Sequence, residues 1–186
     1  MTLIDHFEQF LGPIQDGWSK TASGVALPFQ VVRFARGPTQ DTVTFATLGL
    51  SRSTLHSPSS GKVIRQELVM LVPERERDAP IPGLLQEVAE DIRNSGHAAL
   101  RGDVIGPRGP ISPGATTEAL YVSLPIYFPA EFAMYRDNGV ENVIAWLIPI
   151  TSAESKFVRD AGWEAFEERL DQGNVDLTDM KRRSAI

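Results

Sequence analysis

The apolar positions of this 186-residue chain change period several times, and each change marks an element. Near the N-terminus Leu3, Phe7, Phe10 and Leu11 recur at helical spacing, with Thr2 placed to cap the helix and Gly12-Pro13 to stop it. The period then falls to two. Residues 28–36 (PFQVVRFAR) and 41–51 (DTVTFATLGLS) read as strands around a Gly37-Pro38 turn, which predicts a hairpin. Residues 62–73 (KVIRQELVMLVP) predict a long strand. Ile64, Gln66, Leu68 and Met70 point one way, and Val63, Arg65, Glu67, Val69 and Leu71 the other.

Helical spacing returns over 83–96, where Leu84, Leu85, Val88, Ala89 and Ile92 share a face and Gly96 is placed to end it. Residues 118–129 and 142–150 are apolar on both faces and predict central strands. Residues 152–173 read as one closing helix with Phe157, Val158, Ala161, Ala165 and Leu170 inward, followed by a polar tail. Between these elements lie a loop at 56–62, a charged connection at 74–80 and a Gly/Pro-rich stretch at 100–117. The last is the longest irregular segment, the kind that often carries function. The order helix, three strands, helix, two strands, helix predicts an α+β fold. We expect one mostly antiparallel sheet, or a mixed one, with flanking helices in a single domain over residues 1–186.

Composition narrows the function classes. With 42% hydrophobic and 23% charged residues the chain is a globular one. A net charge of −6 argues against a nucleic-acid surface. The absence of cysteine excludes disulfides, thiolate nucleophiles and Cys-ligated metal. No signal peptide and no membrane-length apolar run are present, which leads us to expect a cytoplasmic protein that does not engage membranes.

The candidate chemistry is sparse. Thr151 and Glu154 have capping-box spacing after the apolar run VIAWLIPI, so this stretch reads as a strand turning into a helix, with Pro149 near the strand end. Glu67 in an apolar strand is either a desolvated acid–base group or, the favoured reading, a half-exposed carboxylate near Arg65. The histidines at 6, 56 and 97 form no ligand or triad pattern, and RGDVIGPRGP is not a phosphate loop, so no metal and no cofactor is expected. Asp103 there could accept a partner's hydrogen bonds or cap a turn. Trp163 and Phe166 read as core, with a partner anchor as the alternative. The KRR run at 181–183 reads as solvated.

Taken in order, several segments resemble the Suppressor of fused (SUFU) domain family over about residues 25–186. TFATLGLS, with Gly49, is similar to its early Thr-x-Gly-hydrophobic-Ser strand. RQELVMLVP is similar to its Glu-Leu strand, and LRGDVIGPRGPI to its Gly-Asp loop. The stretch from VIAWLIPITSAE through Gly162 to RRSAI is similar to its closing pattern. The resemblance implies a non-enzymatic adaptor fold. The animal member binds Gli-type transcription factors by gripping an extended peptide as an added strand, with a second domain completing the cleft. Bacterial single-domain relatives are associated with toxin systems as immunity proteins. We therefore expect a protein-binding module of the bacterial single-domain type that neutralises a toxin partner, with Glu67, Asp103, Arg108 and Trp163 as candidate contacts. The alternatives are a regulatory adaptor that binds a transcription factor or peptide by strand addition, and a hydrolase using Glu67 and Asp103 with a histidine.

Overall fold

A computed structural model describes residues 2–137 and 139–186. In chain order the elements are α1 (Leu3–Leu11), β1 (Ile14–Lys20), β2 (Ala26–Phe34), β3 (Thr42–Leu48), β4 (Leu55–His56), β5 (Val63–Pro73) and α2 (Ile81–Ser95). There follow β6 (Val104–Ile105), β7 (Ala119–Ser123), β8 (Met134–Asp137), β9 (Val140–Ile150), α3 (Ser152–Ala161) and α4 (Trp163–Gly173). The strands form one sheet in the order β1-β2-β3-β5-β9-β7-β6, with β4 added to β5 and β8 to β9. Among the described residues the strands β5 and β9 run parallel, from Arg65↔Asn142 to Val69↔Trp146, and the other named strand pairs are antiparallel. The fold is thus α+β with a mixed sheet.

Period-two alternation builds two cores. On one face Phe45, Leu68, Met70, Val122 and Leu147 pack under Leu85, Val88 and Ala89 of α2. On the other, Phe34, Val69, Tyr121, Trp146 and Ile148 pack under Phe7 and Leu11 of α1, Val158 of α3 and Phe166 of α4. Apolar residues on both faces of β5, β7 and β9 follow from this sandwiching between helices.

Three expectations are corrected. The strand β1 was unforeseen because IQDGWSK is an edge strand with mostly exposed positions and no clean alternation. Likewise β8, also exposed at three of its four residues, gives no period-two signal. The closing helix is two helices. Gly162 adopts φ +89°, where a Cβ is disfavoured, and α3 ends there, with the Gly162 amide donating to Val158 O, before α4 begins. The first helix is capped as read: Thr2 accepts from the Asp5 amide, and Asp5 accepts from the Thr2 amide. No described helix is long and apolar enough to cross a membrane.

Candidate functional site

Two buried carboxylates organise the sheet ends. The first is Glu67, which is fully buried rather than half-exposed. Strand β3 leaves the sheet at Leu48, and the chain rejoins it at β4 beside Ile64. The gap strands amides that a ladder would satisfy. Glu67 fills it. Its carboxylate accepts from Thr47 Oγ1 at 2.6 Å, the Gly49 amide at 2.8 Å, the Ser51 amide at 3.1 Å and Ser51 Oγ at 2.7 Å. Thr47 Oγ1 in turn accepts from the Leu68 amide. Gly49 makes the turn at φ +103°. Burial pushes the Glu67 carboxyl above its ordinary range, against the opposing pull of the Thr47, Ser51 and Gly49 donors. Arg65 does not pair with it; its guanidinium donates to Ser51 O.

The second is Glu154. Thr151 and Glu154 form the capping box, and Glu154 also receives the Arg182 guanidinium at 2.5 and 2.8 Å and the Ala185 amide at 2.8 Å. Arg182 further donates to Pro149 O. The two side chains are 0% and 4% exposed, so Arg182 is not part of a solvated KRR run. Desolvation demands a partner for Glu154, and the tail supplies it. The Thr-x-Gly-x-Ser, Glu-Leu and Pro-Ile-Thr patterns are therefore the sequence traces of two hydrogen-bonded joints.

The remaining predicted contacts gather at the other edge of the sheet. β6 is the outermost strand there, two residues long, and among the described residues it pairs with β7 alone. Asp103 precedes it, exposed, and caps a turn by accepting the Leu100 amide at 2.7 Å. Arg108 follows it and spans to α2, donating to Glu87 and, at 2.6 Å, to Asp91. These carboxylates hold the Arg108 guanidinium above its ordinary range. Between α2 and β6 lies a groove of about 330 Å³ with Leu84, Val88, Ile105 and Ile111 in its wall and Arg108 at its rim.

Trp163 stands behind the same loop, partly buried. Arg101 lies over its ring at 4.4 Å, and Gly102 abuts it so closely that a Cβ would meet the indole at 2.7 Å. Arg101 also pairs with Glu167, to which Tyr121 donates at 2.8 Å. Burial first, then Glu167, drives the Tyr121 phenol well above its ordinary range. Arg101, Tyr121 and Glu167 were missed because contacts separated by 46 and 66 residues leave no spacing in the sequence. The structure thus brings Asp103, Arg108 and Trp163 to one edge and leaves Glu67 inside, at the β3–β5 gap.

Among the described residues no hydrogen bond joins Glu67 to Asp103 or either to a histidine. His6 is buried among Phe10, Phe132 and Tyr135, near Phe132 O, while His56 and His97 are exposed. Among the described residues no cluster of His and acidic side chains has the arrangement of a metal site.

The family model for the Suppressor of fused protein (SUFU) matches residues 26–183. Among solved structures the chain is similar to a SUFU homologue of Neisseria gonorrhoeae, with TM-score 0.75 and 19% identity, over 98% of this chain and 94% of that one. It is similar to a chain of the Sufu–Fu complex, with TM-score 0.73 and 13% identity, over 98% and 90% of the two chains. It is also similar to Drosophila Suppressor of Fused, with TM-score 0.71 and 15% identity, over 98% of this chain and 50% of the fly chain. No curated protein sequence matches significantly. At these identities the structural likeness speaks to the fold.

Proposed function

The chain belongs to the Suppressor of fused family, and from that premise we propose that it is a protein-binding module acting through the β6 edge and the 100–117 loop. One observation carries the reading: a sheet edge, β6, lies beside a part-apolar groove with an exposed Asp103 and Arg108 on either side of it. An open edge offers backbone donors and acceptors to an incoming extended segment, and the groove offers pockets to its side chains. The Sufu–Fu complex is an instance of a family member bound to another protein.

The finer reading is an immunity protein of the cytoplasm that binds a toxin domain and blocks it sterically, without catalysis of its own. Its support is the similarity to a bacterial homologue over nearly the whole of both chains. A regulatory protein held by strand addition at the same edge is the second reading, favoured by the edge itself. Glu67, buried in the β3–β5 gap, contributes by holding the sheet rather than by touching a partner.

The test is affinity for a captured partner, measured by calorimetry with Asp103→Ala/Arg108→Ala. Contacts of this kind are worth about 1–3 kcal/mol together, so weakening of roughly 5- to 150-fold is expected. Undiminished affinity in a folded double variant would move the interface away from this edge.

A further inference from the structure

A cleft of about 710 Å³ lies away from the β6 edge. It opens where β3 leaves the sheet, between the start of α1, the early part of β2, the turn at residues 49–52 and the β8–β9 pair. Pairing of β2 with β3 stops at Gln30↔Leu48, so residues 27–29 beyond it have no strand on that side.

Two guanidinium groups line this cleft, Arg52 and Arg65. Among the described residues neither has a carboxylate partner, whereas other arginines of the chain, Arg33, Arg101, Arg108 and Arg182 among them, are paired with acids. Arg65 is partly buried and aimed by one hydrogen bond of 3.0 Å to Ser51 O, the residue whose amide and hydroxyl are locked by Glu67. Arg52 lies over the Gly49 turn, its Nε 3.8 Å from where a Cβ on Gly49 would sit. The buried Glu67 joint thus fixes the backbone from which both arginines act. Asp137 is the single acidic side chain among the lining residues, so the cleft carries one net positive charge in a chain of net −6. Its rim exposes apolar side chains, Ile4 at 44% and Val140 at 43%.

We propose that this cleft binds a peptide carboxylate, the side chain of an Asp or Glu flanked by apolar residues. Guanidinium groups match carboxylates in planar geometry and gain most when partly desolvated. One net charge suits a monoanionic carboxylate rather than a phosphate, and Asp137 can accept an N–H from the peptide backbone. The apolar rim suits the neighbouring side chains. This inference uses residues apart from the β6 edge and stands or falls independently of it.

The test is an amide-resolved NMR titration of the whole chain with the capped pentapeptide Ac-Ala-Leu-Glu-Leu-Ala-NH2. The controls are the same peptide with glutamine at its centre and sodium glutarate. We expect shifts confined to the amides of Gln30, Gly49, Ser51, Arg52 and Arg65. Binding should be about tenfold weaker for the glutamine peptide and for the exposed-site variant Arg52→Gln, which leaves the Ser51 contact intact. Absence of shifts at millimolar glutamate peptide, equal binding of the glutamine peptide, or undiminished binding to Arg52→Gln would overturn the site. Glutarate binding as tightly as the peptide would overturn the peptide assignment.

Discussion

Replacing Arg182 by methionine tests how the C-terminal tail is held. Arg182 and Glu154 are 4% and 0% exposed, and the carboxylate accepts two bonds from the guanidinium besides the Thr151 and Ala185 amides. Methionine keeps much of the stem volume but removes the cation, so Glu154 is left in the interior with two amides as its partners. Breaking a buried pair from one side costs about 3–5 kcal/mol. For a chain of this size that lowers Tm by roughly 8–13 °C. In Glu154→Gln/Arg182→Met the stranded carboxyl group is gone. One glutamine oxygen can serve only one of the two amides, which leaves a residual cost of about 1–3 kcal/mol. The double variant is therefore expected to be more stable than Arg182→Met alone. Urea unfolding followed by the fluorescence of the tryptophans, of which Trp146 is fully buried, measures both. A cost below about 1 kcal/mol for Arg182→Met, or a double variant weaker than the single, would refute the reasoning.

Glu67→Ala strands four donors at the β3–β5 gap and is expected to cost at least about 4 kcal/mol, whereas Glu67→Gln keeps an acceptor for Gly49 and Ser51 and costs less; urea midpoints decide. Because burial raises the Glu67 carboxyl, the folded state holds that proton more tightly than the unfolded one. Its contribution is full below the unfolded value and is lost as pH rises through the higher folded value. Midpoints across this window should fall with pH in the native chain and flatten in Glu67→Gln. Two glycines separate strain from sterics. Gly162→Ala meets nothing within 4 Å and should cost only the backbone penalty of about 1–2 kcal/mol, whereas Gly102→Ala drives a Cβ into the Trp163 ring and should cost more and change Trp emission. An equal cost at both positions contradicts the contact.

The period of the apolar residues made the interior of the sheet legible. β2, β3, β5 and β9 alternate apolar side chains between two helix-covered faces, and Thr2 and Thr151 announce helix starts through local hydrogen bonds. What sits at an edge was not legible. β1 and β8 expose most of their residues, and β6 is too short to show a period. Nor was long-range pairing: Arg182 reads as solvent-facing beside Lys181 and Arg183, and only the fold places it on Glu154, 28 residues earlier. Glu67 shows the same limit. An acid in an apolar strand is ambiguous until the gap left by β3 shows which amides need it. Asp103 and Arg108 were found through the irregular composition of their loop, while the Arg101–Glu167–Tyr121 cluster behind it left no local pattern.

The central claim is that this chain works by holding another protein. Affinity capture of the tagged chain from its native lysate, with mass spectrometry of the eluate, tests it most directly. The account predicts a stoichiometric protein that survives a salt wash and is lost with Asp103→Ala/Arg108→Ala; a toxin domain there selects the immunity reading and a regulatory protein the adaptor reading. A reproducibly empty eluate, or a partner retained in full by the double variant, would contradict it.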